Sequence, residues 1–171
     1  MTNIKEQEAL HNGALVKPEA FAMKYRKAII IAVAAIIIAV VGGFLYQAYV
    51  AQPREDKAST ALAKGQEYFD AEQFDKALKG DGTGYMGLLN IINDYSSTDA
   101  ANLANLYAGL CYANLNKWND AVKYLDAYSP ADDAMVSPAA IAALGNAYAH
   151  INQLDKAIDN LEKAAEMADK Q

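Results

Sequence analysis

Apolar residues are distributed along this chain in two ways. From Ala28 to Ala51 they are nearly continuous, giving 24 residues without a charge in which Gln47 is the one strongly polar side chain. After Ala51 they become periodic and return every three or four residues, as in Leu103, Leu106, Tyr107, Leu110 and Cys111. A continuous run with no polar face predicts a helix surrounded by hydrocarbon, whereas the three-to-four period predicts helices with one buried stripe. As a helix the run would reach about 36 Å, against a hydrocarbon core of roughly 30 Å. Twelve of its residues are Ile, Val, Leu or Phe. Each favours insertion by about 0.3–0.6 kcal/mol near the helix centre, and their sum outweighs one off-centre Gln. Residues 28–51 are therefore expected to span a membrane.

The segment is expected to stay in the mature chain. A removable leader has a shorter apolar stretch, roughly 7–15 residues, and small residues at both flanking positions of its cleavage site. Cleavage after Ala48 or Ala51 would instead place Tyr46 or Tyr49 at the upstream position. Lys24, Arg26 and Lys27 precede the run, while Arg54 and Lys57 after it are offset by Glu55 and Asp56. The positive-inside rule then predicts a cytoplasmic tail over residues 1–27, short and disordered, and an exported domain over residues 52–171. In a bacterium this is an inner (cytoplasmic) membrane protein with a periplasmic domain. Tyr25, Tyr46 and Tyr49 suit the membrane interfaces.

Within the exported part the sequence repeats itself. Residues 108–125 and 144–161 align at a fixed offset of 36, with identities at Gly109/Gly145, Tyr112/Tyr148, Ala113/Ala149, Asn116/Asn152, Ala121/Ala157 and Leu125/Leu161. A weaker copy over residues 64–78 carries Gly65, Tyr68, Phe74 and Ala77 in the same relative places. Each unit reads as two helices joined by a tight turn. Leu103 to Cys111 stripe a first helix and Trp118, Ala121, Val122 and Leu125 a second, with Asn116 at the turn because Asn tolerates left-handed backbone. Small residues such as Gly109 and Ala121 let the two axes approach, and Pro130 and Pro138 separate one unit from the next. The first copy is interrupted by KGDGTG, residues 79–84, which is expected to bend its second helix. A further amphipathic helix follows, with Leu88, Leu89, Ile91 and Ile92 on its stripe. The interruption has neither the Lys-Ser/Thr pair nor the preceding strand of a phosphate loop.

This pattern resembles the tetratricopeptide repeat, carried by Gly109, Tyr112, Trp118, Ala121 and Leu125 and by Leu144, Gly145, Tyr148, Ala157, Leu161 and Ala164. The departures are a spacing of 36 where the family has 34, Tyr128 at a position usually small, and the broken first copy. The resemblance implies an all-α chain: one N-terminal transmembrane helix followed by a tetratricopeptide-repeat α-solenoid of about three helix pairs over residues 52–171.

Charge and composition narrow the function. The chain carries 15 basic and 21 acidic residues. Residues 1–27 have a net charge of +2 and the remainder −8, which argues against nucleic acid or an anionic membrane surface as partner of the main body. One Cys and two His, with His11 and His150 on opposite sides of the span, leave no disulfide, no Cys-paired zinc site and no Ser-His-Asp set. Neither enzymatic activity nor a cofactor is expected. Acid pairs such as Asp132–Asp133 and Glu55–Asp56 suit helix starts, and Cys111 reads as a small core residue.

Repeats of this kind offer a concave face built by the first helix of each pair. The equivalent groove positions are Gln66, Leu110 and Asn146, with Asp70, Asn114 and His150 one turn further on. None of the six is Lys or Arg, which disfavours partners recognised by a C-terminal carboxylate and suits an extended backbone or a helix. A short basic tail, one uncleaved span and periplasmic repeats is the layout of the YfgM-type ancillary subunits of the Sec translocon, which this chain resembles. That resemblance implies binding of the translocon, periplasmic chaperones or exported chains. The alternative is a self-assembling organiser of envelope or cell-division machinery. Ile158, Leu161 and Ala165 on the last helix ask for a covering neighbour, which predicts further repeats, a partner or a homo-oligomer through that end.

Overall fold

The computed structural model describes residues 25–169, and all regular structure among them is helical. They fall into two compact units that divide between Tyr49 and Val50. In the first, α1 (Arg26–Tyr46) has no buried residue and is long and apolar enough to cross a membrane. Its first turn takes in Arg26 and Lys27, two residues before the apolar run begins. The remainder of the tail, residues 1–24, lies outside the described residues. A π-helical stretch, Gln47–Ala51, follows. Pro53 accounts for it: proline has no N–H for the carbonyl four residues back and its ring crowds that oxygen, so the backbone widens just before it.

The second unit contains α2 (Gln52–Asp70), α3 (Phe74–Lys79), α4 (Leu88–Asp94), α5 (Asp99–Asn114), α6 (Trp118–Asp126), α7 (Val136–His150) and α8 (Leu154–Asp169). Helices pack as hairpins, α2 with α3, α5 with α6 and α7 with α8, and each hairpin touches the next through α2 on α5 and α6 on α7. One turn geometry recurs in all three. Glu72, Asn116 and Asn152 hold φ of 56°, 57° and 59°. The next residue's N–H reaches back to a tyrosine carbonyl each time: Gln73 to Tyr68 at 2.9 Å, Lys117 to Tyr112 at 2.8 Å and Gln153 to Tyr148 at 2.9 Å. This is the Schellman closure, which satisfies the last carbonyls of a helix around one left-handed residue. It recurs at offsets of 44 and 36, the same offsets that relate Gly65, Gly109 and Gly145.

Those glycines seat the second helix on the first. A Cβ on Gly109 would lie 2.5 Å from Leu125 Cγ, and one on Gly145 would lie 2.9 Å from Leu161 Cγ. In the first hairpin the equivalent of Leu125 is Asp81, which lies beyond the end of α3. The second helix of this hairpin is cut short, not bent. Gly80 leaves the helix at φ 94°, and the chain loops to a new start at Leu88. Tyr85 and Leu88 take the empty seat, with Tyr85 Oη and Leu88 Cδ2 the atoms nearest a Cβ on Gly65. Leu88 and Ile91 are fully buried beside Leu78 and Cys111 in the first core cluster. Burying each of the larger apolar side chains stabilises by about 1.5–3 kcal/mol. A second cluster joins Leu106, Ala121, Leu125 and Tyr128 to Ala140, Leu144 and Tyr148, tying α6 to α7.

Helix starts are held by side chains, one of them distant in sequence and two local. Glu55 on α2 accepts the Asp99 and Ala100 N–H groups at 2.8 and 2.9 Å, and Thr98 Oγ1 accepts that of Ala101, so α5 is capped twice. Asp133 Oδ1 accepts the N–H groups of Met135, Val136 and Ser137 at the start of α7. Exposed N–H groups at helix starts favour such carboxylates.

Candidate functional site

The six groove positions fall on the first helices of the three hairpins: Gln66 and Asp70 on α2, Leu110 and Asn114 on α5, Asn146 and His150 on α7. Asp70, Asn114, Asn146 and His150 are exposed, and Gln66 is half-buried. Leu110 is half-buried against the second core cluster, so it is committed to packing. Among the described residues the polar contact within the set is Asn114 Nδ2 donating to the Leu110 carbonyl at 2.9 Å, inside one helix. The fold therefore aligns the six on neighbouring helices without fusing them into one constellation.

His150 has a second allegiance that the repeat alignment did not reveal. Its ring lies parallel to the indole of Trp118, with centroids 3.6 Å apart and planes 1° apart. Trp118 opens α6 just after one Schellman turn and His150 closes α7 just before the next, so equivalent turns of adjacent hairpins bring them together. Around the stack an open cleft of about 640 Å³ is lined by Asn116, Lys117, Asp120, His150 and Asn152. It offers flat rings for stacking and side-chain amides for hydrogen bonds to a peptide backbone. The signal in sequence was slight: the only Trp, placed one residue after Lys117 in the turn.

A different cleft, of about 660 Å³, lies between α2 and the interrupting loop, lined by Lys57, Thr60, Lys64, Tyr85, Met86 and Tyr95. Its loop is internally tied. Asp81 Oδ1 accepts the N–H groups of Thr83, Gly84 and Tyr85 at 2.8, 3.1 and 3.0 Å, and Oδ2 accepts the Tyr68 hydroxyl at 2.7 Å. The Tyr68 hydrogen bond, then those from the loop backbone, hold the Asp81 carboxyl well below the usual carboxylate range. The Tyr85 hydroxyl donates to the Ala77 carbonyl at 2.8 Å, and burial pushes its pKa up. Gly87 closes the loop at φ 92°, where a Cβ would meet Gly80 N at 2.6 Å. Asp81 thus serves the loop's own folding.

Cys111 is fully buried in the first core cluster, and burial pushes its thiol up to about 12. Among the described residues no group of three or more His, Cys, Asp or Glu is placed to hold a metal ion. Compared with family models, with curated proteins and with solved structures, the chain matches none of them.

Proposed function

We propose that this chain is a single-pass membrane scaffold whose exported domain is a tetratricopeptide-type solenoid that captures protein partners along the exposed face of α2, α5 and α7. The observation that carries the reading is the triple recurrence of one hairpin, with the Schellman turn at Glu72, Asn116 and Asn152, in a chain that also holds one long apolar helix. Repeats assembled this way have no enclosed site of their own and act through extended surface. The basic residues before the apolar run and the acidic balance after it favour a cytoplasmic N-terminus and a periplasmic domain in the inner membrane. Exported chains, their chaperones and the translocon are the partners available there, as in the YfgM-type proteins that the layout resembles. Anchoring raises the local concentration of the binding face beside membrane partners without any added contact. The amides of Asn114, Asn146 and Asn152 and the Trp118–His150 stack suit an extended backbone better than a charged terminus.

In-cell photo-crosslinking from Asn146, with Lys163 as the control position, tests this reading. Translocon subunits or exported chains captured from Asn146 and absent from Lys163 are the expected result. Identical captures from both positions, or self-crosslinks alone, would refute it.

A further inference from the structure

The outer face of α8 repeats a face that is covered elsewhere in the fold. At the offset of 36, Trp118 and Val122 of α6 correspond to Leu154 and Ile158 of α8. Trp118 and Val122 are half-buried against the cluster that includes Ala140, Leu144 and Ala147 of α7. Leu154 and Ile158 are 58% and 54% exposed, and Leu161, although seated on Gly145, remains 41% exposed. With Ala165 these form one stripe at helical spacing. What covers the equivalent stripe on α6 is a helix, α7, so the fold already shows the shape of occupant that such a stripe accepts.

The border of the stripe gives that occupant its charge. At 100° per residue, Asp155, Asp159, Glu162 and Asp169 share the side of α8 next to the stripe and away from α7, while Lys156 and Lys163 lie further round the helix. All four acids are exposed. On α6 the positions equivalent to the first three are Asn119, Lys123 and Asp126, a mixed border. The acidic edge therefore belongs to α8 alone. Two antiparallel copies of α8 laid face to face would bring their acidic edges together. Two parallel copies would set each edge against the α7 side, where α7 carries no Lys or Arg. Both arrangements disfavour a second copy of this chain as occupant.

We propose that the Leu154–Ile158–Leu161 stripe of α8 is a docking face for a basic amphipathic helix of another protein, whose apolar side covers the stripe as α7 covers that of α6 and whose Lys or Arg residues meet the acidic edge. This mode lays an apolar helical face into a hydrophobic groove, with charge setting the choice of partner. It is separate from the groove of the proposed scaffold and stands or falls without it.

The test uses the full chain in nanodiscs of zwitterionic lipid and two synthetic helical peptides. They share a Leu stripe, bordered in one by Lys and in the other by Glu, and binding is read by fluorescence anisotropy. The Lys-bordered peptide should bind about tenfold or more tightly than its counterpart. Ile158→Glu should abolish that binding while helix content by circular dichroism stays unchanged, because the side chain is exposed. The double variant Asp155→Lys/Glu162→Lys should invert the preference between the peptides. Equal binding of both peptides to the wild-type chain would overturn the proposal without recourse to any variant. So would peptide binding indifferent to Ile158→Glu, or a chain that sediments as a dimer and is made monomeric by that substitution.

Discussion

Replacing Gly109 by Ala places a methyl group 2.5 Å from Leu125 Cγ, 2.9 Å from its Cδ2 and 3.0 Å from its backbone N. The side-chain atoms can turn away only by leaving a seat in which Leu125 is 3% exposed, and the backbone nitrogen can retreat only if α6 moves off α5. Overpacking of this kind costs about 1–3 kcal/mol. The intrinsic preference of a helix for Ala over Gly returns about 1 kcal/mol, so Gly109→Ala should destabilise by up to about 2 kcal/mol. Leu125→Ala alone empties the seat and should cost about 2–5 kcal/mol. In the double variant the methyl introduced by Gly109→Ala enters the space that Leu125 vacates, two of its three close contacts disappear, and the helix-propensity gain remains. The double variant should therefore be no less stable than Leu125→Ala, with a favourable coupling of about 1–2 kcal/mol. Trp118 is the chain's only tryptophan and lies on the same hairpin, so urea unfolding of the full chain in detergent can be followed by its fluorescence. Additivity of the two single changes to within about 0.5 kcal/mol would mean that Gly109 and Leu125 do not share a seat.

Other consequences are open to the same methods. Glu72 occupies the left-handed position that Asn holds in the other two turns, at φ 56°; Glu72→Gly should stabilise the chain by about 1 kcal/mol in urea titration, and a loss would contradict the turn assignment. The folded pKa of Asp81 lies below the ordinary value of 3.8, so its contribution is complete above that value and is lost as the pH falls through the lower folded one. Acid unfolding followed by circular dichroism should accordingly be shallower below about pH 4 in Asp81→Asn than in the parent, and identical curves would refute the role given to the loop. The Cys111 thiol, buried and pushed up to about 12, should resist an aromatic disulfide reagent at pH 8 and react at once in urea. Prompt reaction in the native chain would show that the first core cluster is open.

The hairpins were legible because their determinants are local. Asn116 and Asn152 mark the turns, Gly109 and Gly145 the close approach, and Trp118, Ala121 and Leu125 the stripe, all within one repeat length. Asp133 at the start of α7 was readable for the same reason. What escaped the sequence depends on residues far apart along the chain. Glu55 caps α5 from 44 residues away, and nothing near it announces the partner. Seating Tyr85 and Leu88 on Gly65 required knowing that α3 ends at Lys79, one residue into the stretch expected to interrupt it. The Trp118–His150 stack arises between two hairpins, and alignment of the repeats placed His150 on an open face because it compares equivalent positions and not neighbouring ones. Among the six groove positions, Leu110 shows the same limit: its stripe is wider than the two-helix picture allows, since it must serve both α6 and the cluster shared with α7.

The two ends of the helical array differ in a way that bears on how copies of the chain meet. Shifted by both repeat offsets, Ala140, Leu144 and Ala147 of α7, which cover α6, correspond to Thr60, Lys64 and Glu67 of α2. An internal first helix is thus apolar on the side facing the preceding hairpin, while α2 is polar there and pairs Lys64 with Glu67. Among the described helices the corresponding side of α2 is polar and the outer side of α8 apolar, which works against head-to-tail stacking, because the exposed stripe of α8 finds no matching face on α2 of another copy. Restoring the internal pattern should remove that block. Thr60→Ala/Lys64→Leu/Glu67→Ala gives α2 the surface that α7 presents to α6, and the variant should associate end to end, its sedimentation coefficient rising with concentration while the parent's does not. Adding Ile158→Glu to the triple variant should return it to the behaviour of the parent, since a heterologous contact needs both of its faces. A triple variant that stays monomeric, or an assembly insensitive to Ile158→Glu, would show that the two ends are not related as the repeat offsets require.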